Sequence, residues 1–546
     1  MGRYLSITFA ATVAIISLFP LHNVAAREDI PMMMPQEQPM MPFPYQMPVN
    51  PGVPVPATGS VVPLPVPVLP KGDALVAWMA SNVSSKTGMF FSFQVLPEEK
   101  AEIYGAMGEA SSVPGIVERT IVEEGLDIYD GAVGQIALTV AGGEDKLAVA
   151  RHQLDVYWSG KLESLISIRA GYPNYNFVYD PKDPEVVTSL LTDEGRRGFI
   201  FRIINANGNY LVRDPLDGKE RMAGFPEAPD LHWEDWKPVA GENAWIVIAA
   251  MQLYHKEYYK ADVDQYVAPE GPVELRLAEE LARAAMVLQS ETGGIRMAPI
   301  GTYRENEFYS TSTQGQWWYN QISTENNLSW YSAFRMLYRV TSKEIYLQAM
   351  QKMAGFFKQV YDPVTQTFYQ GMTYKAGVWQ VNSSNFAVDV QTWGILSLGA
   401  ATIEDWFGEG VAYSFWAKAR EYSGTCNDQG LLMGVGYTKE KGRVSVEWSA
   451  GAIMAARELA VFYRNSHREL AQAAGHDAEQ MRVGMELLRR DLPGGQSAYA
   501  YSSKRGWIPF GWNSHDPRVV SLASTGWMFF VDKKFNPFWL DGKGQD

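Results

Sequence analysis

The chain has 546 residues, of which 46% are hydrophobic and 20% charged, as in an ordinary globular protein. The formal net charge of −14 disfavours nucleic acid as a partner, and neither a Lys/Arg-rich tract nor a phosphate-binding glycine motif contradicts this. The single cysteine, Cys426, excludes an intramolecular disulfide and a cysteine-based metal cluster. Aromatic residues reach 13%, and such rings often contact a ligand.

The first 70 residues have the composition of a targeting segment followed by a spacer. Residues 1–26 predict a secretory signal, with Arg3 at the start, an apolar core and small residues ending at Ala26. A retained anchor helix is the alternative, although the apolar stretch is short for a membrane span. Residues 27–70 are rich in Pro and Met, which predicts an extended linker. No later run is long and apolar enough to cross a bilayer, so we expect a secreted or periplasmic protein.

Residues 71–546 are predicted to form one large, mainly helical domain, because no second linker of similar composition interrupts them. A β-containing insertion is predicted at about 196–238. Within it, residues 198–204 have the pattern of a strand and residues 210–212 that of its return, joined by a turn at Asn207-Gly208.

Six segments of the domain begin alike, each with carboxylate, amide or hydroxyl side chains before an apolar run. Because the runs are apolar on all sides, they predict buried helices. The six starts are residues 128–133, 241–246, 324–327, 388–393, 446–451 and 522–527.

Amphipathic segments alternate with the buried ones and predict helices on the outside. They are residues 144–157, 274–283, 343–360, 411–421 and 468–490, and Gly-aromatic turns follow several of them. This alternation predicts an all-α ring of six helical hairpins with short β-hairpin insertions, in which the buried helices run parallel and their N-termini gather. An α-solenoid is the alternative, but it does not need polar groups at every inner start.

Four motifs carry a family resemblance: Tyr129-Asp130, Glu242-Asn243-Ala244-Trp245, residues 323–327 and Ser524-Thr525-Gly526-Trp527. With the repeat, they resemble the six-hairpin, or (α/α)6-toroid, glycosidase superfamily over residues 73–540, without selecting one family within it. The resemblance implies a glycoside hydrolase, with inversion as the commonest outcome. We expect a carbohydrate substrate, a monomer, and no cofactor or metal.

Glycoside hydrolysis needs one carboxylic acid and one carboxylate, and in inverting enzymes the two lie roughly 6.5–9.5 Å apart. Glu325 is the first candidate for this catalytic pair, because the polar residues around it exceed what a helix cap requires. Asp389 and Glu242 are the candidates for its partner. For each of these residues the alternative is an N-cap or a carboxylate that compensates the helix dipole.

Further residues near the helix starts are candidates for substrate binding, since carboxylates and amides bind sugar hydroxyls and aromatic faces pack on pyranose rings. They are Asp127, Asp130, Asn243, Trp245, Tyr303, Arg304, Trp318, Asn326, Trp330, Trp393, Glu447, Trp448 and Trp512.

Two other functions remain open. A toroid polysaccharide lyase would use a Tyr, His or Lys base and a cation that neutralises a uronate, for example Arg304 or Arg443. A glycan-binding or assembly protein would keep the groove without turnover. A toroid sugar epimerase would require histidines at the helix starts, and none of the six carries one.

Overall fold

The computed structural model describes residues 72–107, 119, 121–159, 199–200, 202–207, 210–213, 220–223, 239–298, 317–383, 386–508 and 512–543. The predicted signal and linker lie outside these residues, as do Tyr303, Arg304 and most of the predicted insertion. The boundaries of the domain and its insertion therefore stay predictions.

Helices make up most of the described chain. They are α1 (Gly72–Ser81), α2 (Lys100–Ala106), α3 (Ile128–Ala141), α4 (Glu144–Ser159), α5 (Ala240–Tyr258), α6 (Val273–Val287), α7 (Thr324–Thr341), α8 (Glu344–Gln359), α9 (Val388–Leu398), α10 (Ala400–Phe407), α11 (Val411–Ser423), α12 (Val446–Phe462), α13 (Arg468–Met485) and α14 (Leu522–Lys533). None of the described helices combines the length and apolar character needed to span a membrane.

Six of these helices form a closed inner ring. Each packs against the next, and the last packs against the first, in the order α3, α5, α7, α9, α12 and α14. Their side chains are buried on nearly all sides, as the apolar runs predicted. Closure of the ring rules out the solenoid, in which the first and last repeats do not meet.

The outer helices α4, α6, α8, α11 and α13 pack against inner helices, where the amphipathic segments predicted them. In α6, for example, Leu277, Leu281 and Ala285 form the buried face at four-residue spacing. Helix α1, which packs against α14 and α3, was not predicted. The segment predicted at 468–490 also runs past the end of α13, because Arg489–Leu492 leaves the helix and pairs as a strand with Gln496–Tyr499.

Glycine allows the ring to close at the contact between α14 and α3. A Cβ atom on Gly526 would lie 2.5 Å from Val133 Cγ1, and one on Gly134 would lie 2.9 Å from Leu522 Cδ1. Both distances are shorter than real contacts of a Cβ atom, so a larger residue at either position would push the two helices apart.

Short antiparallel strands lie between the helices. They are β1 (Phe93–Gln94), β2 (Gly125–Asp127), β3 (Ile203–Asn205), β4 (Tyr210–Arg213), β5 (Glu220–Ala223), β6 (Tyr259–Lys260), β7 (Gln265–Tyr266), β8 (Gln321–Ser323), β9 (Tyr361–Asp362), β10 (Thr367–Phe368), β11 (Gly371–Lys375), β12 (Val378–Val381), β13 (Gly424–Cys426), β14 (Leu432–Val435), β15 (Arg489–Leu492), β16 (Gln496–Tyr499), β17 (Gly506–Ile508), β18 (Trp512–Ser514) and β19 (Val520–Ser521). Several of them, including β2, β8 and β19, lead directly into an inner helix.

The hairpin predicted between residues 198–204 and 210–212 is wrong. Instead, β3 pairs with β2, so that Ile203 lies opposite Asp127, and β4 pairs with β5. The strand predicted at 210–212 is confirmed by β4, whereas that predicted at 198–204 is confirmed only at its end, where β3 finds its partner about 80 residues earlier in the chain. This long-range pairing places Arg202 beside the start of α3, where its carbonyl accepts the N–H of Ile128 at 2.9 Å.

The segment after α14 packs beneath the centre of the ring. Phe538 contacts the rings of Trp245 and Trp393 at centroid distances of 5.1 and 5.3 Å. Gln252 of α5 donates to the carbonyl of Trp539 at 2.8 Å, and Arg335 of α7 donates to that of Phe538 at 2.9 Å. These bonds fix the segment to two inner helices.

Candidate active site

The inner helices begin in the same way, and the fourth residue of each helix marks the equivalent position. In α5 this residue is Asn243, whose amide accepts the N–H of Ile200 at 2.8 Å and donates to the carbonyl of Ile200 at 2.9 Å. Asn243 thus clamps the backbone that precedes its own helix. Its second amide hydrogen bonds Val239 O, and the residue is fully buried, so the structure gives Asn243 a structural role instead of the predicted contact with substrate.

The same clamp recurs around the ring with other side chains at the fourth position. Asn327 binds both backbone groups of Ile295, Gln391 binds those of Phe368, Ser449 binds those of Val435, and Thr525 accepts the N–H of Tyr499. In α3 the fourth residue is Gly131, and Gln153 of the neighbouring α4 makes the equivalent contacts to Phe90 N and Gly88 O.

The clamp determines which side chains turn toward the centre. Successive residues of a helix are rotated by about 100°, so the residue two positions before the clamp lies on nearly the opposite face. The residues at that position are Tyr129, Gly241, Glu325, Asp389, Glu447 and Ala523, and Asp130 and Glu242 occupy the next one.

Six carboxyl groups meet at these helix starts, and we call them the carboxylate ring: Asp127, Asp130, Glu242, Glu325, Asp389 and Glu447. These carboxyl groups lie close enough together for their negative charges to raise one another's pKa. Burial, followed by the charge of Asp389, raises the pKa of Glu325 well above its usual range, and Glu242, Glu447 and Asp127 add to the rise. Five helix starts therefore converge on one site, as the sequence predicted.

Burial raises the pKa of three other members of the ring to values near neutrality. The pKa of Asp389 rises to about 7, although the backbone N–H of Val390 donates to its Oδ1 at 2.8 Å. The pKa of Glu447 rises to about 8 and that of Asp130 to about 8, against the opposing hydrogen bonds from Tyr129 and Ser92. Carboxyl groups in this range can donate or accept a proton at neutral pH.

Helix capping does not explain Glu325 or Glu447, because serines cap their helices. Ser323 accepts the N–H of Asn326 at 3.3 Å, and Ser445 accepts that of Trp448 at 3.3 Å. The carboxylate of Glu325 accepts no hydrogen bond from the part of the chain that the structure describes. Glu325 is therefore not the N-cap of its helix, and its catalytic role stays a prediction.

Asp127, by contrast, is the N-cap of α3, where it accepts the N–H of Tyr129 at 3.0 Å. It nevertheless belongs to the carboxylate ring, since burial and the nearby charge of Asp130 raise its pKa well above the usual range. Asp127 therefore caps α3 and also belongs to the carboxylate ring.

Among the described residues, Arg202 carries the one guanidinium that forms an ion pair with the carboxylate ring, and its partner there is Glu242. Arg202 Nε lies 3.5 Å from Glu242 Oε1, and both side chains are mostly buried. The charge of Arg202 also opposes the rise in the pKa of Asp127 and Asp130. Arg202 was not among the predicted residues, because its position depends on the pairing of β3 with β2.

The tryptophans predicted to contact substrate form the buried floor and walls behind the ring. Trp245 and Trp393 lie 5.3 Å apart and are 1% and 3% exposed, and Trp527 stacks on Trp393 at 5.6 Å. Trp330 donates to the carbonyl of Ala240 and has no exposed surface, while Trp448 packs against another buried ring. Burial places the four predicted residues Trp245, Trp330, Trp393 and Trp448 behind the site, where they do not offer an open face to a sugar.

The remaining predicted residues lie at the edge of the described structure. Asn326 is buried against Gly241, and Trp318 is partly exposed beside Trp317 at 4.8 Å. The backbone of Trp512 belongs to β18, which pairs with β17. Their roles in binding substrate stay predictions, as do those of Tyr303 and Arg304.

Tyr129 is a further residue of the site that was not among the predicted ones. Its hydroxyl donates to Glu447 Oε1 at 2.5 Å and accepts from Trp527 Nε1 at 2.7 Å. Its ring packs edge-on against Trp245 at 5.1 Å. Tyr129 is the second residue of its helix, as Glu325 and Asp389 are of theirs. This shared position is the sequence signal that points to Tyr129.

In the described ranges, no group of three or more His, Cys, Asp and Glu side chains has a geometry suited to a metal ion. The carboxylate ring itself contains no nitrogen or sulfur ligand of the kind that zinc prefers. What the arrangement offers is several carboxyl groups of different acidity at one place.

No protein-family model and no curated protein matches the chain. Similar solved structures include a sugar epimerase from a ruminal bacterium, 12% identical over 84% of this chain and 96% of that chain, with a TM-score of 0.47. A D-mannose isomerase is 11% identical over 86% and 100%, with a TM-score of 0.48. The alpha-1,6-mannanase GH76A of Salegentibacter sp. HEL1_6 is 13% identical over 85% and 98%, with a TM-score of 0.43.

These three proteins are named for three different reactions, so the likeness does not select one. The architecture rests on the described helices themselves: six inner helices close into a ring, and outer helices pack around it. The chain has the (α/α)6-toroid fold that its repeat and motifs predicted.

Proposed function

We propose that the chain is a glycoside hydrolase that cleaves a polysaccharide or oligosaccharide with inversion at the anomeric carbon. The observation that carries this proposal is the state of Glu325. This partly exposed residue is not needed as a helix cap, and burial together with neighbouring negative charges raises the pKa of its carboxyl group. Such a group keeps its proton to a higher pH than an ordinary glutamate does and can protonate a leaving oxygen.

Asp389 is the partner that the geometry favours. It occupies the same position in α9 as Glu325 does in α7. Among the neighbouring charges, that of Asp389 raises the pKa of Glu325 most, and burial raises the pKa of Asp389 itself to about 7. Glu242 suits the role less well, because its carboxylate faces Arg202 at 3.5 Å. We therefore assign Glu325 as the acid, Asp389 as the base, and Glu242 as a residue that binds substrate hydroxyls.

The reaction follows from these roles. Glu325 gives its proton to the glycosidic oxygen as the bond between that oxygen and the anomeric carbon breaks. Asp389 takes a proton from a water molecule as the water oxygen attacks the same carbon from the opposite face. Single displacement inverts the anomeric configuration and requires room for the water, with the two carboxyl groups roughly 6.5–9.5 Å apart.

A polysaccharide lyase is less well supported by the described residues. It would need a free cation for the uronate carboxylate, whereas Arg202 is paired with Glu242. Arg443 donates to the carbonyls of Gly506 and Trp507 at 3.0 Å and to Glu440 at 3.1 Å, which fixes it in the fold. Tyr129 already donates its hydroxyl proton to Glu447 and so does not stand ready as a base.

The test is a screen of the protein against a panel of neutral and acidic polysaccharides, followed by NMR analysis of the anomer first released. We expect hydrolysis with inversion in the parent, and a loss of about 10²–10⁴-fold in kcat for Glu325→Gln and Asp389→Asn. Glu279→Gln is the matched control, since Glu279 pairs with Lys343 on the outer face.

Three results would count against the proposal. Full activity in Glu325→Gln and Asp389→Asn would remove the assigned pair. Unsaturated products would indicate a lyase. Binding of a glycan without cleavage of any polymer would favour the glycan-binding or assembly protein. Export of the chain is a separate prediction, which processing at residues near 26 in a secreting host would test.

A further inference from the structure

Three inner helices meet at the hydroxyl of Tyr129. Trp527 of α14 donates its indole N–H to this oxygen at 2.7 Å, and the oxygen donates to Glu447 Oε1 of α12 at 2.5 Å. Tyr129 itself lies on α3. The contact thus joins a buried indole to a member of the carboxylate ring through one phenol.

Chemistry fixes the direction of the hydrogen bond from Trp527, and the geometry gives that of the bond to Glu447. An indole N–H can only donate, so the Tyr129 oxygen must accept from Trp527. The single hydroxyl proton of Tyr129 then goes to Glu447 Oε1, which acts as an acceptor whether Glu447 is ionised or not. With Oε1 accepting from Tyr129, a proton bound by Glu447 sits on its other oxygen, Oε2.

Oε2 accepts no hydrogen bond from the residues that the structure describes, and Glu447 is one of the side chains whose charge acts on Glu325. Glu447 is therefore held at one oxygen, while the other has no hydrogen-bond partner in the described ranges. We infer that Tyr129 is a positioning residue, which locks Glu447 so that Oε2 alone exchanges protons and meets substrate. This role rests on the proposed function of the carboxylate ring.

Several groups surround Glu447 and contribute to its protonation. The titratable groups that act on it or feel its charge come from β2, α3, α7, α9 and the chain before α12, and they are Asp127, Tyr129, Asp130, Glu325, Asp389 and Tyr437. Of these, only Tyr129 forms a hydrogen bond with the Glu447 side chain within the described ranges. Tyr129 is the group that opposes the effect of burial on the pKa of Glu447.

Tyr129→Phe removes the hydroxyl and keeps the ring that packs on Trp245 and Trp393. Infrared difference spectra over a pH titration would follow the carboxyl band that Glu447→Gln abolishes. Because a hydrogen bond to the ionised form is lost, the midpoint of this band should move upward by roughly one pH unit. Trp527→Phe should shift it in the same direction by less, since Tyr129 then loses only its orienting donor.

Tyr346→Phe is the matched control, because it removes a Tyr hydroxyl that donates to Glu279 at 3.2 Å between two outer helices. It should leave the Glu447 band unchanged. A kcat reduced several-fold in Tyr129→Phe, with a smaller change in KM, would agree with positioning of a group that acts in the transition state.

A Glu447 band that titrates identically in the parent and in folded Tyr129→Phe would overturn the inference. Should Tyr129→Phe fail to fold, the same measurement on Trp527→Phe decides, and an unshifted band there would overturn it equally. The titration does not depend on turnover. A shifted band in a protein that cleaves no glycan would therefore refute the proposed function and leave the positioning of Glu447 intact.

Discussion

Asn326 of α7 lies so close to Gly241 of α5 that a Cβ atom on Gly241 would stand 2.3 Å from Asn326 Oδ1. Gly241 occupies the position that Glu325 and Asp389 occupy in their own helices. One of the six inward positions of the inner helices therefore carries no side chain, and the amide of Asn326 fills the space next to Gly241.

This contact predicts that Gly241→Ala destabilises the protein by about 1–3 kcal/mol, because the new methyl group collides with a buried side chain. Urea unfolding would measure the loss. Gly355→Ala is the control, since its added Cβ meets nothing within 4 Å and the change should be neutral or stabilising. Combining Gly241→Ala with Asn326→Ala should recover part of the loss, whereas strict additivity would show that Asn326 is not the obstacle.

The fourth-position clamp predicts a second effect on stability. Asn327→Ala would leave the buried N–H and C=O of Ile295 without their side-chain partner, at a cost of about 2–4 kcal/mol in the free energy of unfolding. Gln429→Ala, at an exposed loop position, should change it by less than about 0.5 kcal/mol. Equal stability of the two variants would contradict the assignment of the clamp.

The clamp also explains what could be read from the sequence and what could not. The ring, its six inner starts and the gathering of Glu325, Asp389 and Glu447 followed from the repeat of polar starts and apolar runs. The roles of Trp245 and Trp393 did not. An inner helix is apolar on all sides and has no stripe that fixes its rotation, so the sequence does not show which aromatic faces the centre.

Arg202 could not be predicted for a different reason. Its place opposite Glu242 depends on the pairing of β3 with β2, and turn signals such as Asn207-Gly208 report only on neighbouring residues. Tyr129 stood in a quoted motif, but its link to Glu447 joins α3 to α12 across the ring. Contacts between distant hairpins are set by closure of the ring, which no local pattern records.

The raised pKa of Asp389 predicts how stability changes with pH. Its folded value of about 7 lies above its ordinary 3.8, so the folded state binds this proton more tightly. The stabilisation from this proton is complete below about pH 4 and is lost as the pH rises toward 7. Asp389→Asn, which mimics the protonated form, should match the parent at pH 4 and exceed it at pH 8 by on the order of 2–4 kcal/mol.

Unfolding by urea at pH 4, 6 and 8 would measure this difference. Asp516→Asn is the contrasting variant, because Arg518 holds the pKa of Asp516 below its usual range. That variant should instead lose stability at neutral pH relative to the parent. A difference between Asp389→Asn and the parent that does not vary with pH would contradict the raised pKa of Asp389.

The charge of Glu447 predicts the shape of the rate profile of the proposed hydrolase. In the parent, kcat/KM should rise as Asp389 loses its proton near pH 7 and fall at higher pH as Glu325 loses its own. Glu447 is among the negative charges that raise the pKa of Glu325. Glu447→Gln removes this charge, so the ionised form of Glu325 becomes easier to reach and the alkaline limb should move to lower pH.

Glu344→Gln, at an exposed position of α8, is the control and should leave both limbs in place. An alkaline limb that stays fixed in Glu447→Gln, with hydrolysis retained, would separate Glu447 electrostatically from the acid and leave another carboxyl group to set that limb.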